Sequence, residues 1–202
     1  MTWVAFVFIA FLCGSFPFSV WLGRLFLGVD VRQYGDGNPG ATNVFKAGSR
    51  IVGLLALILD VSKAAAPVGL AYYNHSIRGI PMFLIAIAPI LGHVFSPFLG
   101  FRGGKALATA LGVWIGLTLW KASLAGVVAA LIGIALTTVT GWAVMLGLVG
   151  ILATLLIWIP DQILLLVWAG VTLIIAWTHR ADLHQRPRLR PWFAKHHFPS
   201  RK

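Results

Sequence analysis

Long apolar runs alternate with short polar ones along this chain. Runs nearly free of charge extend over Trp3–Leu25, Ile51–Tyr73 and Ile80–Leu99, and a further stretch, Ala106–Thr178, carries only Lys121 and Asp161. A run of about 20 apolar residues has the length that crosses a bilayer as a helix. Breaks near Lys121, at Thr140-Gly141 and at Pro160-Asp161 divide the last stretch into four, of which Ala106–Leu119 is short. The pattern predicts an all-α polytopic membrane protein with about seven transmembrane helices.

Composition agrees. With 59% hydrophobic and 10% charged residues, a water-soluble fold would carry more apolar surface than it could bury. The 202 residues fit several spans with little left over, so residues 1–202 are expected to form a single integral membrane domain. Sixteen Lys and Arg stand against five acidic residues, but they lie in loops between apolar runs and not in one stripe. Anionic lipid headgroups or an anionic substrate are therefore the expected partners, and nucleic acid is not. The lone Cys13 excludes an intramolecular disulfide. No metal or cofactor is expected, and the sequence is compatible with a monomer without fixing the oligomeric state.

The placement of Lys and Arg sets the expected orientation. With seven spans and the N-terminus outside, Arg24, Arg32, Lys46, Arg50, Arg102, Lys105 and Arg180, together with the cations of the tail, all fall on the cytoplasmic side. Arg78 and Lys121 fall outside, and Lys63 lies within a span. Trp3, Trp21, Trp120, Trp142, Trp158 and Trp177 fall near predicted span ends, as an interfacial aromatic belt requires. Residues 187–202 read as a basic cytoplasmic tail resting on anionic lipid. The absence of an internal repeat weakens an inverted-repeat transporter.

Three polar segments and one intramembrane pair are candidates for chemistry. The segment 30–43 contains Gly35-Asp36-Gly37-Asn38-Pro39-Gly40, a literal G-x-G-x-x-G, but apolar spans flank it where a dinucleotide fold would need a strand. What remains is a loop whose glycines admit close approach of backbone N–H groups to an anion. Pro39 is placed as the first residue of a short helix, and Asn38, Thr42, Asn43 and Lys46 add donors. The second segment, Gly92-His93 through Gly103-Gly104-Lys105, resembles a phosphate-binding loop only superficially. Gly103, Gly104 and Lys105 nevertheless make a second anion site of the same type. His93 reads either as an acid or base or as a histidine hydrogen-bonded at a helix end.

In the third segment, His179 and Asp182 stand three residues apart, a spacing at which they either share a hydrogen bond or simply mark a helix end. Asp60 and Lys63 have the same spacing inside a span, where they line the site, brace it, or form a plain intrahelical pair.

Taken in order, Gly37-Asn38-Pro39-Gly40-Ala41-Thr42-Asn43-Val44, Asp60-Val61-Ser62-Lys63, Gly92-His93 through Gly103-Gly104-Lys105, and His179-Arg180 resemble the PlsY family, the acyl-phosphate glycerol-3-phosphate acyltransferases of bacterial membranes. The resemblance implies an enzyme of the bacterial plasma membrane, its active site facing the cytoplasm. The implied reaction moves a fatty acyl group from acyl phosphate to the 1-hydroxyl of glycerol 3-phosphate, giving lysophosphatidic acid and phosphate. By the same resemblance Lys105 and Lys46 bind phosphate, Asn38, Thr42 and Asn43 shape the loop, and His179 contacts the acceptor. The proton then goes to the leaving phosphate, with His179 or His93 as alternative bases.

This chain departs from the family pattern at several places. Asp36 stands where the family has Ser, Lys46 where it has Arg, Asp182 where it has Asn, and Ala64 and Ala106 where it has Gly. Added carboxylates beside an anionic acceptor oppose its binding unless cations compensate. A less anionic acceptor, or a non-enzymatic lipid or anion transporter, are the competing expectations.

Overall fold

The computed structural model describes residues 2–191, so residues 192–202 of the expected basic tail lie outside the described residues. Every named element is helical. The chain divides into two compact units, Met1–Leu119 and Trp120–Lys202.

The first unit contains α1 (Trp3–Ser15), α2 (Phe18–Leu27), the short α3 (Ala41–Lys46), α4 (Arg50–Gly69), α5 (Gly79–Val94) and α6 (Leu107–Thr118). The run expected as one helix over Trp3–Leu25 breaks at Phe16-Pro17. Proline lacks an N–H and drives its predecessor out of helical geometry, and Phe16 is extended at φ −63° and ψ 119°. A π-helical turn, Leu70–Asn74, prolongs α4, and a 3-10 turn, Pro97–Leu99, follows α5. Close backbone approach holds the helices together, as expected where lipid removes the hydrophobic drive between them. A Cβ on Gly92 of α5 would collide with the Phe11 carbonyl of α1, and one on Gly112 of α6 with the Val61 carbonyl of α4.

Contacts at the two ends of this unit fix its up-and-down order. At one end Phe6 packs edge-on to His75 at 4.9 Å, and Tyr73 Oη donates to the Leu117 carbonyl at 2.9 Å. At the other end lie the segments 28–50 and 95–106, joined by the bonds described below.

The second unit contains α7 (Lys121–Leu136), α8 (Thr140–Trp158), α9 (Gln162–Thr178) and the single turn α10 (Arg180–Leu183). Asp161 caps α9, its Oδ1 accepting from the N–H groups of Ile163 and Leu164 at 2.8 and 3.0 Å. Past α10 the chain returns along the α7–α8 turn. The Thr138 N–H donates to the Arg188 carbonyl and the Arg190 N–H to the Leu136 carbonyl, both at 2.9 Å. The start of the expected tail is therefore a strap bonded to the bundle.

All seven expected apolar segments are helical, with the breaks at Lys121, Thr140 and Pro160-Asp161 in place. Four have the length and composition to cross a membrane: Trp3–Leu27, Arg50–Asn74, Gly79–Leu99 and Thr140–Trp158. Leu107–Thr118, Lys121–Leu136 and Gln162–Thr178 are shorter. Large apolar side chains face outward, among them Ile51 at 82% and Phe8 at 70% exposure, which only a lipid solvent makes favourable.

Candidate active site

The two Gly-rich segments expected to cooperate meet at one end of the first unit. The Lys105 N–H donates to Asn38 Oδ1 at 2.8 Å, and Lys105 Nζ stands 3.1 Å from Asp36 Oδ2. Asp36 Oδ1 accepts from the Asn38 N–H at 3.2 Å and from Asn43 Nδ2 at 3.0 Å, while Asn43 Nδ2 also donates to the Asn38 carbonyl at 2.9 Å. Burial pushes the Asp36 carboxyl up, but the Lys105 ammonium and the Asn38 and Asn43 donors outweigh it and hold the group below the usual carboxylate range. Asp36 is therefore ionised at neutral pH.

Glycine at position 35 allows the turn at the mouth of this loop. Its φ is +60°, and a Cβ there would collide with Asn43 Oδ1 and stand 2.8 Å from Lys46 Nζ. Lys46 and Lys105 thus flank one turn, the first across Gly35 and the second through Asp36. Thr42 is exposed beside them in α3. Arg24 and Arg32 share Asp30 at 2.9 and 2.6 Å where α2 leads into the loop, and these contacts hold the Asp30 carboxyl well below its ordinary range.

Two details correct the sequence reading. The short helix begins at Ala41 with Gly40 as an extended cap, so Pro39 lies outside it. A local turn, with the Gly40 N–H on the Asn38 carbonyl at 2.8 Å, takes up Pro39 instead. The amides of Gly103 and Gly104 do not form an anion cradle. They donate to the carbonyls of Val94 at 3.0 Å and His93 at 3.2 Å, closing the end of α5, which leaves carbonyls without intrahelical partners. Gly104 still requires its hydrogen, since a Cβ would stand 2.6 Å from His93 Nε2 and 2.9 Å from Asn38 Oδ1.

Beneath the loop lies a buried polar chain. Lys63 Nζ is 2.7 Å from Asp60 Oδ1, 2.8 Å from the Phe16 carbonyl and 2.9 Å from His93 Nδ1, while Ser19 Oγ donates to Asp60 Oδ2 at 2.7 Å. The side chains of Asp60 and Lys63 are 2% exposed. An ammonium with two acceptor-only oxygens as partners directs its third N–H at His93 Nδ1, which places the imidazole proton on Nε2, the edge facing Gly104. Sequence reasoning missed Ser19 and the Phe16 carbonyl. Pro17 was the available signal, because it leaves the Phe16 carbonyl outside the helix ladder for Lys63.

In the second unit, His179 is 1% exposed at the end of α9. Its Nδ1 lies 2.9 Å from the Ile175 carbonyl, an acceptor only, so Nδ1 carries the proton and Nε2 the lone pair of the neutral ring. The Asp182 N–H donates to the His179 carbonyl at 2.9 Å. Asp182 packs where Gly141 has no side chain, and a Cβ there would stand 2.7 Å from its Cβ. Among the described residues no cluster of three or more His, Cys, Asp or Glu could hold a metal.

Fold and site define a helical integral membrane protein that gathers lysines, asparagines and glycines at the ends of its spans. The profile of the family described as glycerol-3-phosphate acyltransferase matches residues 4–186, and the chain belongs to that family. A glycerol-3-phosphate acyltransferase of Anaeromyxobacter dehalogenans is 40% identical over 189 residues, 88% of this chain and 90% of that one. A Synechococcus protein of the same name is 38% identical over 180 residues, covering 87% and 85%. The crystal structure of PlsY, an integral membrane glycerol 3-phosphate acyltransferase, in its glycerol 3-phosphate form superposes with a TM-score of 0.82 at 27% identity, over 96% of this chain and 98% of that one. Its lysophosphatidic acid form gives 0.80, over 90% of each chain. The chain is a membrane acyltransferase of phospholipid synthesis.

Proposed function

We propose that the whole chain acts as one catalytic domain that takes its acyl group from acyl phosphate and delivers it to the 1-hydroxyl of glycerol 3-phosphate. The hydroxyl oxygen attacks the acyl carbonyl carbon, the bond from that carbon to the phosphate oxygen breaks, and the departing phosphate takes the hydroxyl proton. A mixed anhydride is already activated, so positioning and charge stabilisation supply the catalysis.

Lys105 and Lys46 are the phosphate-binding cations, and Asn38, Thr42 and Asn43 shape the loop with Gly37 and Gly40. Gly103 and Gly104 set the height of Lys105 above α5. The buried Asp60, Lys63 and His93 brace that turn from below. By the family resemblance His179 is the residue assigned to the acceptor, with Asp182 three positions further on. The observation that carries this reading is the double attachment of Lys105, by its N–H and its ammonium, to the 36–43 loop. The seven helices cross the membrane with the N-terminus outside, and the site faces the cytoplasm, as the clustering of Arg24, Arg32, Lys46, Arg50, Arg102 and Lys105 at one end of the first unit supports. A single copy carries the activity. The test is turnover by purified protein offered palmitoyl phosphate and glycerol 3-phosphate, with inorganic phosphate and lysophosphatidic acid as the products to be measured.

A further inference from the structure

Asp36 occupies a position that a substrate would be expected to fill. Its carboxylate receives an ammonium from Lys105, a backbone N–H from Asn38 and an amide from Asn43, at 3.1, 3.2 and 3.0 Å. A cation and convergent N–H donors are what a phosphate monoester seeks. The carboxylate comes from the loop itself, and at 50% side-chain exposure it is free to swing away toward solvent, whereas Lys105 is held more deeply at 29%.

We propose that Asp36 is an internal anionic occupant of the phosphate seat on Lys105, and that the acceptor's phosphate binds by displacing it. This inference rests on the reading that Lys105 binds phosphate. Asp36 is then a specificity-determining residue. It lowers affinity for every phosphate-bearing ligand of the seat by competing for Lys105 and by repelling the incoming dianion, and it leaves ligands without phosphate unaffected. It also keeps the lysine charge neutralised, with the loop closed on segment 103–105, between turnovers. The ordinary alternative is that Asp36 is purely a brace for the loop, in which case its removal loosens the site and weakens substrate binding.

The full-length enzyme in detergent micelles distinguishes these two accounts. The Michaelis constant for glycerol 3-phosphate and the inhibition constant for inorganic phosphate are measured for the wild type, Asp36→Asn and Asp36→Ser. Asp36→Asn keeps an oxygen for the Asn38 and Asn43 donors while removing the charge, so it stands even where Asp36→Ser disturbs the loop. An internal competitor predicts that both constants fall together by about threefold or more in Asp36→Asn, the scale of a half-exposed ion pair with added like-charge relief. Unchanged or raised constants in Asp36→Asn overturn the proposal. Lys105→Ala, measured alongside, separates this failure from a failure of the underlying reading. If Lys105→Ala leaves both constants at wild-type values, Lys105 does not seat phosphate. If it raises them while Asp36→Asn does not lower them, the displacement idea alone fails.

Discussion

Lys63 holds three groups at once, and its surroundings dictate what its loss does. The ammonium neutralises Asp60, takes up the carbonyl that Pro17 frees, and fixes the His93 ring. Removing one member of a buried pair leaves the other uncompensated, at a cost of about 3–5 kcal/mol. Lys63→Met is expected to lower thermal stability in detergent by that order, and Asp60→Leu combined with it to recover most of the loss. A Lys63→Met protein as stable as the wild type would remove the brace from the account. Gly104→Ala acts higher in the same stack. Its methyl meets His93 Nε2 and Asn38 Oδ1, so the Lys105 turn is pushed outward. A rise of about tenfold or more in the Michaelis constant for glycerol 3-phosphate is expected, with a smaller effect on turnover, since the displaced group is the proposed phosphate ligand. The sequence names Asp60, Lys63, His93 and Gly104 by residue type, but the tie between them is invisible in it. Position 16 lies in the break before α2, and positions 19, 60, 63 and 93 belong to three helices whose register only packing sets.

The break between α1 and α2 gives an element-scale test in which local propensity and tertiary need point in opposite directions. Replacing a proline inside an apolar helical run ordinarily stabilises the helix, by up to about 3 kcal/mol. Here Pro17→Ala lets α1 continue into α2 and draws the Phe16 carbonyl into the helix ladder, away from Lys63. The expected result is a lower melting temperature and reduced acyl transfer, and a gain in stability with full activity would contradict this role for the break. Helix boundaries were otherwise legible. Lys121, Thr140-Gly141 and Pro160-Asp161 all mark real ends, because charge, glycine and proline act locally. The roles of the Gly103 and Gly104 amides were not legible, since their partners are the terminal carbonyls of α5 and depend on how the following loop folds back. The strap at 185–190 was missed for the same reason. Its partners, Leu136 and Thr138, lie some fifty positions away in the chain and carry no sequence signal.

For the whole molecule, the chemistry requires that the polar end of the first unit face the compartment that supplies glycerol 3-phosphate. In a variant with Cys13 replaced by serine, a cysteine placed at Gln33 is expected to react with a membrane-impermeant maleimide only after cells are permeabilised. Cysteines placed at Ser76 or Lys121 are expected to react in intact cells. The reverse pattern overturns the proposed sidedness, and reaction of Lys121→Cys from the same side as Gln33→Cys overturns the count of seven crossings. The most direct measurement of the central claim is acyl transfer by purified wild type and Lys105→Ala with palmitoyl phosphate and glycerol 3-phosphate, read as lysophosphatidic acid formed. The account predicts product from the wild type and a fall of about 100-fold or more in kcat/KM for a folded Lys105→Ala protein. Undiminished turnover by Lys105→Ala, or no product from the wild type, would contradict it.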